Sequence, residues 1–290
     1  MNAVILAAGT SSRFVPLSYE KPKGLLNVRG EILLERQIRQ LKEAAIGDIV
    51  IVVGYKADMF QYLTGKFGVR LILNEDYGQY NNTSSMIRVL DMLDDTFICC
   101  SDIFYSSNVF LEEVSDSYYS AMYAHGTTNE YCLRLGTNDY IDNVTVGGAN
   151  AWYMTGHAFF NRTFSESFKR IFADEYRAAA TKWMYWEDVL IKHLAELPIK
   201  VRKYAAGVIH EFDSLEELRN FDPQYVNDAG SVILREICEK LHCRQKDIAN
   251  ISVLKNDFDR KGFLFEISGE KGIETYGYDI CRAEIFSPLK

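Results

Sequence analysis

The chain lacks several features that would assign it to a large class of proteins. No apolar run approaches the ~20 residues of a membrane span, and the first residues lack the basic, apolar and small-residue order of a signal peptide. We therefore expect a cytoplasmic protein without membrane insertion. The six cysteines form no Cys-x-x-Cys pair and have no histidine cluster beside them, which disfavours both a zinc site and a disulfide framework.

Basic residues are also fewer than acidic residues in this chain. The chain has 32 Lys and Arg against 40 Asp and Glu, for a net charge of −8. This balance argues against a general nucleic-acid or anionic-membrane surface, because such binding uses many basic contacts to phosphates. It does not exclude one anionic ligand, since the only carboxylate between Arg13 and Lys23 is Glu20.

Two common phosphate-binding patterns are missing: a Walker loop, and a dinucleotide fingerprint with three spaced glycines. Instead, the apolar run Ala3 to Ala7 opens into Ala8-Gly9-Thr10-Ser11-Ser12-Arg13 and then Lys21-Pro22-Lys23-Gly24. Small residues let backbone N–H groups approach phosphates closely, and basic side chains neutralise charge that grows during phosphoryl-type transfer. The segment therefore predicts a nucleotide site; the alternative is an ordinary surface loop.

Strand-like and helix-like periods alternate through the first hundred residues, which favours an α/β fold with a mostly parallel, Rossmann-like sheet. The predicted strands lie near Asn2–Leu6, Asp48–Val53, Val69–Leu73 and Thr96–Cys100. The predicted helices lie near Leu33–Ala44, Ala57–Phe67 and Ser84–Leu93. Ligands of such sheets bind beyond the carboxyl ends of the strands, where Gly9 and Asp102 both emerge.

The pattern changes twice further along the chain. From Tyr118 to about Phe160, short apolar runs separated by turn residues predict antiparallel strands. We expect these strands to shape the pocket for a second substrate, the acceptor of the transferred group. Helices follow over Thr163–Tyr176 and Trp183–Leu194, with a strand over Lys200–Tyr204. Pro223 and Asp228 indicate a boundary, so we expect a main domain over residues 1–225 and a small α+β appendage over 228–290. The appendage is predicted to contain an amphipathic helix over Ser231–Leu241 and two short strands around Gly262–Ile267 and Ile273–Tyr278.

Two aspartates are candidate metal ligands. Asp102 follows a buried strand, and Asp213 lies between a late strand and the helix that begins near Ser214. Mg²⁺ is usually held by one or two carboxylates together with phosphate oxygens and water, so two aspartates suffice. The alternative for Asp213 is that it only caps the following helix.

The opening segment resembles the signature of nucleotidyltransferases that activate sugar phosphates and alcohol phosphates. Leu6-Ala7-Ala8-Gly9, Ser12-Arg13 and Pro22-Lys23 carry that resemblance, whereas Ser11 stands where many members have a second glycine. Further motifs, in order, resemble bacterial CTP:phosphocholine cytidylyltransferases over nearly all of residues 1–222: Asn74-Glu75-Asp76-Tyr77, Tyr80-Asn81-Asn82, Ser85, Thr128-Asn129-Glu130-Tyr131, Tyr185-Trp186 and Ile209-His210-Glu211-Phe212-Asp213-Ser214.

The resemblance implies roles for particular residues. Arg13 and Lys23 fall on the triphosphate contacts, and together with Asp102 they are the expected catalytic residues. Asp102 and Asp213 fall on the ligands of a Mg²⁺ cofactor. The expected nucleotide-binding residues lie along the signature segment and at the base and ribose: Leu6, Ala8, Gly9, Thr10, Ser11, Ser12, Arg13, Lys23, Asn82 and Ser85.

The same resemblance implies an aromatic and acidic site for the acceptor's ammonium group. Its expected members are Glu130, Tyr131, Trp152, Trp183, Tyr185, Trp186 and Glu187. The alternative is that Trp183 and Trp186 belong to an apolar stripe at helical spacing that packs in the core. Trp183 also replaces an acidic residue of the family, which leaves room for an acceptor with a primary ammonium group.

These observations predict an enzyme that joins CTP to phosphocholine, giving CDP-choline and pyrophosphate, with the family's implied role in bacterial cell-surface decoration. Alternative acceptors are 2-aminoethylphosphonate and phosphoethanolamine, followed by a sugar 1-phosphate. A nucleotide-binding regulatory module is the non-enzymatic alternative. The appendage faintly resembles the first lobe of choline-kinase-like phosphotransferases in Val253-Leu254-Lys255 and Phe263–Ile267, and a packing or homo-oligomer-forming role is expected for it.

Overall fold

The structure is a computed structural model that describes residues 1–111, 113–254, 261–269 and 272–287. The chain divides into two compact units. The first unit comprises Met1–Gly9 and Glu31–Glu211, and the second comprises Thr10–Gly30 and Phe212–Lys290. The division into residues 1–225 and 228–290 stays a prediction. Within the described ranges, no helix is both long enough and apolar enough to cross a membrane.

The strands are numbered in chain order. They are β1 (Asn2–Ala7), β2 (Asn27–Val28), β3 (Glu31–Ile32), β4 (Asp48–Val53), β5 (Arg70–Leu73), β6 (Thr96–Cys100), β7 (Ile103–Tyr105), β8 (Tyr118–Tyr123), β9 (Thr127–Leu135), β10 (Ile141–Ala149), β11 (Trp152–Phe160), β12 (Lys200–Lys203), β13 (Ile209–Glu211), β14 (Ile248–Val253), β15 (Gly262–Gly269), β16 (Gly272–Asp279) and β17 (Glu284–Phe286).

The α-helices are numbered in the same way. They are α1 (Leu17–Glu20), α2 (Leu33–Glu43), α3 (Tyr62–Phe67), α4 (Thr83–Val89), α5 (Arg162–Glu175), α6 (Trp186–Lys192), α7 (Leu215–Phe221), α8 (Gln224–Asn227) and α9 (Val232–Leu241). Short 3₁₀ helices lie at Lys23–Leu25, Ala57–Phe60, Leu90–Met92, Thr137–Asp139, Ala179–Trp183 and Gln245–Asp247.

A mixed sheet organises the first unit. Among the described residues it has nine strands, in the order β10-β9-β11-β6-β1-β4-β5, with β8 beside β11 and β12 beside β8. Strands β6, β1, β4 and β5 run parallel, and β11, β9, β10 and β8 add the antiparallel part. This confirms the α/β fold class, with the parallel strands in the first hundred residues and the antiparallel ones after Tyr118.

Burial explains why the parallel strands form where the sequence predicts them. Ala3, Val4 and Ile5 of β1 are fully buried, as expected for a strand covered on both faces. Strand β4 continues the pattern with Val50, Ile51 and Val52 at 0% exposure. Predicted and observed bounds agree for β4 and β6. Most other predicted elements differ by one or two residues at their ends. Three predicted helices are shorter than expected: Ala57–Phe67 and Ser84–Leu93 each divide into a 3₁₀ helix and a short α-helix, and Trp183–Leu194 is reduced to α6.

The second unit contains a small α+β body. Strands β14 to β17 form a four-stranded antiparallel sheet in chain order among the described residues. Helix α9 contributes Ile233, Leu234 and Ile237 to the buried set, as its amphipathic pattern predicts. Strands β15 and β16 confirm the two strands expected in the appendage. The residue Lys255, part of the kinase-like run, lies outside the described residues.

His157 is a buried histidine in an aromatic cluster of the first unit. It is fully buried, its ring lies within 5.8 Å of the Phe97, Phe110 and Tyr105 ring centroids, and its Nε2 is 3.3 Å from the Tyr118 hydroxyl. Burial and, to a smaller extent, the positive charge of Arg202 together lower the pKa of His157 to about 3. The folded protein therefore holds this imidazole neutral.

This burial predicts a specific acid sensitivity. As the pH falls below about 6.5, the unfolded chain protonates His157 while the folded chain does not, so its contribution to stability is complete above pH 6.5 and is lost toward pH 3. Between pH 6 and 4 the free energy of unfolding should fall by about 1.4 kcal/mol per pH unit from this residue alone. Urea denaturation of the wild type and His157→Gln across that range measures the difference in slope. Parallel curves would contradict the prediction.

Candidate active site

The carboxyl ends of two adjacent parallel strands bring one set of predicted residues together in the first unit. Leu6 of β1 lies opposite Cys100 of β6 in register, and the Ser101 N–H donates to the Leu6 carbonyl at 3.1 Å. Gly9 follows β1 and Asp102 follows β6, so both emerge at the same sheet edge. Leu6 and Ala8 are buried, whereas Gly9 is exposed and Asp102 is partly buried. This is the edge at which α/β sheets bind ligands.

Arg13 and Lys23, the predicted triphosphate contacts, belong to the second unit, where both contact Asp213. The Arg13 guanidinium is 2.9 Å from Asp213 Oδ2, and Lys23 Nζ is 3.5 Å from Asp213 Oδ1. Lys23 is 6% exposed and lies over the Phe14 ring, whereas Arg13 is 74% exposed. One carboxylate thus organises two cations, one held inside the protein and the other free to reorient toward solvent.

The capping alternative for Asp213 is wrong, because Ser214 is the N-cap of α7. The Ser214 side chain accepts a hydrogen bond from the Glu217 N–H. Glu217 in turn accepts from the Asp213 N–H at 2.6 Å. These bonds satisfy the start of α7 as a capping interaction does. The Asp213 carboxylate is therefore available to Arg13 and Lys23.

The turn between Gly9 and Arg13 has one unusual backbone conformation. Ser11 adopts φ of +50°, a region that glycine occupies most easily. Its carbonyl accepts from the Phe14 N–H at 2.9 Å, and Thr10 and Ser12 are exposed on either side. The position where relatives carry glycine thus has the backbone that favours glycine, and Ser11 adopts it with a side chain present.

Asn82 and Ser85 begin helix α4 in the first unit. Asn82 Oδ1 accepts from the Trp186 N–H at 2.7 Å, and its Nδ2 donates to Glu187 at 3.4 Å. Ser85 is 3% exposed and accepts from Asn74 Nδ2 at 3.0 Å. Both side chains therefore bond to other protein groups, and their role at the base and ribose stays a prediction.

Glu187 is a buried carboxyl group in the predicted acceptor region. It is 7% exposed and receives hydrogen bonds from the Tyr119 hydroxyl at 3.2 Å and from Asn82. Burial raises the pKa of Glu187 to about 7, although the two hydrogen bonds oppose the shift. Both partners are neutral, so the ionised carboxylate has little compensation. A cation beside Glu187 would favour its charged form.

Further carboxylates lie around the tyrosines of the same region. The Tyr131 hydroxyl donates to Asp188 Oδ1 at 2.7 Å. Burial raises the pKa of Tyr153, and the charges of Glu130 and Glu211 raise it further. Burial also raises the pKa of Cys100, with contributions from the negative charges of Asp102, Glu187 and Glu211. These tyrosines and carboxylates form a region that we call the acidic region. Its members are Tyr119, Glu130, Tyr131, Tyr153, Glu187, Asp188 and Glu211.

The predicted aromatic residues separate into two groups. Trp186 is 1% exposed and packs among Tyr119, Phe160 and Phe168, which favours the core interpretation for this residue. Trp183 and Tyr185, by contrast, are 63% and 45% exposed. Trp152 is partly buried, with Lys203 Nζ 5.4 Å from its ring centroid. Sequence spacing could not separate these cases because Trp183 lies in a 3₁₀ turn that ends before α6 begins.

Four residues of the acidic region were not singled out from the sequence: Tyr119, Tyr153, Asp188 and Glu211. Asp188 caps α6 by accepting from the Tyr185 N–H at 2.8 Å. Glu211 pairs with Ile103 at the start of β7, next to Asp102. In the sequence, neither the capping pattern at Asp188 nor the short strand that contains Glu211 indicates that these carboxylates belong to a binding region. Only the alternation along β8 and β11 could have indicated that Tyr119 and Tyr153 lie near the acceptor residues.

Carboxylate oxygens are the donors that a hard divalent cation prefers, and Asp102 and Asp213 provide them. Within the described ranges, no group of three or more His, Cys, Asp or Glu side chains could hold a metal ion alone.

Comparison with known proteins places the chain in a family. Residues 3–133 match the MobA-like NTP transferase domain. The choline-phosphate cytidylyltransferase of Streptococcus pneumoniae is 31% identical over 228 residues, covering 79% of this chain and all of that protein. The 2-aminoethylphosphonate cytidylyltransferase of Lancefieldella rimae is 33% identical over 229 residues, covering 78% of this chain and 93% of that protein.

A solved structure agrees. The CTP:phosphocholine cytidylyltransferase from Streptococcus pneumoniae superposes with a TM-score of 0.75 at 31% identity, covering 77% of this chain and 98% of that one. The chain therefore belongs to the nucleotidyltransferase family that includes the bacterial choline-phosphate cytidylyltransferases. Nucleotidyltransferases of this family generally use a divalent metal ion.

The buried Glu187 predicts a second pH effect, opposite in sign to that of His157. Between pH 4.5 and about 7 the unfolded chain releases the Glu187 proton while the folded chain retains it, so rising pH favours unfolding. Glu187→Gln should therefore be more stable than the wild type above pH 7, by about 1–3 kcal/mol, and should lose that advantage near pH 5. Chemical denaturation at pH 5 and pH 8 measures it.

Glu75→Gln provides the matched control, because Glu75 is an exposed glutamate of the same unit. It should leave the free energy of unfolding within about 0.5 kcal/mol of the wild type at both pH values. A Glu187→Gln protein that follows the control at both pH values would contradict the prediction.

Proposed function

We propose that this chain is a cytidylyltransferase that transfers CMP from CTP to phosphocholine, giving CDP-choline and pyrophosphate. The observation that carries the proposal is the acidic region of the first unit. Glu187 and Asp188 lie beside Tyr119 and Tyr131 there. Tyrosine rings and carboxylates together are the groups that bind an organic ammonium ion.

The acidic region also favours an amino-alcohol acceptor over a sugar 1-phosphate. A sugar 1-phosphate has no cationic group, so it offers no positive charge to compensate the ionised form of Glu187, whose pKa is near 7. An ammonium group next to Glu187 would stabilise the ionised carboxylate and offset its desolvation. A nucleotide-binding module without turnover would have no use for this second charged region.

The reaction requires positioning more than proton transfer. A phosphate monoester has its second pKa near 6, so the acceptor oxygen is a nucleophile at neutral pH without a general base. That oxygen forms a bond to the α-phosphorus of CTP as the bond to the pyrophosphate oxygen breaks, and pyrophosphate departs with the electron pair. Arg13 and Lys23 neutralise the negative charge of the triphosphate as the two anions approach.

We assign Asp102 and Asp213 to a bound Mg²⁺ on the basis of the sequence resemblance, and their carboxylate chemistry fits that ion. When bound, the ion supplies charge neutralisation at the phosphates. Asp213 has a further role among the chain's own residues, because it holds Arg13 and Lys23 near each other. The same resemblance supports the remaining nucleotide-binding assignments: Leu6, Ala8, Gly9, Thr10, Ser11, Ser12, Asn82 and Ser85.

A substrate panel tests the proposal directly. Pyrophosphate release should be measured with CTP, UTP, ATP and GTP, each combined with phosphocholine, phosphoethanolamine, 2-aminoethylphosphonate or glucose 1-phosphate. We expect CTP with an ammonium-bearing acceptor to give the largest kcat/KM, and chelation of divalent metal to abolish release. Turnover of UTP with glucose 1-phosphate, without turnover of CTP, would refute the proposal.

Asp102→Asn tests the catalytic assignment at the sheet edge. Loss of the carboxylate should lower kcat by at least about 100-fold, while the folded state persists because Asp102 is only partly buried. Asp91→Asn is the matched control, since Asp91 is an exposed aspartate of the same unit. Equal kcat values for the two variants would remove Asp102 from the catalytic set.

A second acceptor, 2-aminoethylphosphonate, is favoured by the position of Lys203. Its Nζ lies 5.4 Å from the Trp152 ring centroid and 2.7 Å from Asp139. A cation of the protein therefore already lies over Trp152, which reduces the aromatic surface for a trimethylammonium group. A primary ammonium instead donates hydrogen bonds to carboxylates such as Glu130 and Glu187. The ratio of kcat/KM for the two acceptors decides between them.

A further inference from the structure

Glu20 connects two parts of the second unit. One is the signature segment from Thr10 to Lys23, and the other is the C-terminal body, which consists of helix α9 and strands β14 to β17. Glu20 ends helix α1, and its carboxylate receives three hydrogen bonds at the start of helix α9: from the Ser231 hydroxyl at 2.6 Å, from the Val232 N–H at 3.1 Å and from the Ile233 N–H at 3.0 Å. Ser231 is the N-cap of α9 and is fully buried. A carboxylate at a helix N-terminus is stabilised by both the N–H groups and the helix dipole.

Tyr19, the residue before Glu20, makes a second connection. Its hydroxyl donates to the Gly262 carbonyl at 3.0 Å, and its ring centroid lies 6.4 Å from that of Phe263. Gly262 and Phe263 open strand β15 and are both buried. Two consecutive residues of the signature segment are therefore fixed by a helix and a strand of the C-terminal body.

A series of turns transmits this attachment along the segment. The Phe14 N–H donates to the Ser11 carbonyl, the Ser18 N–H to the Phe14 carbonyl and the Lys21 N–H to the Leu17 carbonyl, all at 2.9–3.0 Å. Phe14, Val15 and Leu17 are buried at 2–3% exposure. The backbone from Ser11 to Lys21 is thus continuously hydrogen-bonded and packed, and we therefore expect a displacement at Glu20 to move the neighbouring Arg13 and Lys23.

Glu20 also carries the one negative charge between Arg13 and Lys23 in the sequence. An ionised carboxylate at that place is able to pair with the basic residues and to reduce their attraction for phosphate. The three donors at the start of α9 occupy both Glu20 oxygens. The C-terminal body therefore holds this charge in hydrogen bonds of its own.

We propose that the C-terminal body is a positioning element for the nucleotide site, with Glu20 and Ser231 as positioning residues that hold Arg13 and Lys23 in a triphosphate-binding arrangement. The proposal rests on the proposed nucleotidyltransferase function of this site. It assigns helix α9 and strands β14 to β17 a role in nucleotide binding that is exercised through α1.

Glu20→Gln in the full chain tests the proposal, because two simple expectations have opposite signs. If Glu20 acts only through its charge, removing a negative charge from the segment that carries Arg13 and Lys23 strengthens CTP binding. If Glu20 acts by positioning, loss of the charge-assisted bonds to α9 raises the KM for CTP by about tenfold, with a smaller change in kcat. Ser231→Ala should raise the KM for CTP in the same direction. Glu239→Gln, an exposed glutamate on the same helix, is the matched control and should leave KM unchanged.

Hydrogen exchange of the same proteins gives a readout that does not depend on turnover. In Glu20→Gln, amides of residues 11–26 and of the first turn of α9 should exchange faster than in Glu239→Gln, while amides of β1, β4 and β6 should not change. If the wild type does not turn over CTP but Glu20→Gln still shows faster exchange of residues 11–26, the proposed function is wrong. The structural connection between Glu20 and the signature segment is then still supported.

Tyr19→Phe covers the case in which Glu20→Gln does not fold, since it removes only the hydroxyl bond to Gly262. It should raise the KM for CTP and the exchange of residues 11–26 less than Glu20→Gln does, but measurably. Values of KM and exchange equal to those of Glu239→Gln, in whichever of the two variants folds, would overturn the proposal. A lower KM for CTP in Glu20→Gln would overturn it as well.

Discussion

The candidate nucleotide site depends on the shared ion pair of Asp213 with Arg13 and Lys23. Two cations near each other repel, and a single carboxylate between them offsets that repulsion and fixes their spacing. Lys23 is the anchored member because its ammonium is buried against Phe14, while Arg13 reaches into solvent. The arrangement can therefore present one fixed positive charge and one adjustable charge to a polyphosphate, which suits a ligand whose charge distribution changes as a bond breaks.

The sequence predicted much of the fold because the strongest signals came from burial. Strands β4 and β6 are found at their predicted bounds, since a continuous apolar run between polar turns has few other structures available to it. The approach of Gly9 and Asp102 to one sheet edge followed from strand order alone. The burial pattern could not predict how the chain divides into two compact units. The segment Thr10–Gly30 groups with Phe212–Lys290, and no local pattern indicates a partner some 200 residues away.

The site was less predictable than the fold, for reasons that differ between residues. Asp213 and Ser214 are both common N-caps, and only the hydrogen bond from Glu217 shows that Ser214 takes that place. Trp183 and Trp186 share a helical spacing, yet a 3₁₀ turn between them leaves one exposed and the other buried. Asp188 is positioned in the acidic region by its capping bond at the start of α6, and Glu211 is positioned there by the pairing of β13 with β7. In each case the deciding contact joins residues whose types allow several roles.

Three carboxylates of this chain show how the surroundings decide what a carboxylate does. Asp213 lies between two cations, and Glu20 lies against the N–H groups that begin α9. Each is compensated by protein groups, so each serves to hold other residues in place. Glu187 is buried and accepts hydrogen bonds from the Asn82 amide and the Tyr119 hydroxyl, and burial raises its pKa to about 7. A carboxyl group balanced near neutral pH responds strongly to a new charge, because a cation nearby converts it to the ionised form. In the proposed function, the ammonium group of the acceptor supplies at Glu187 the compensation that protein groups supply at Asp213 and Glu20.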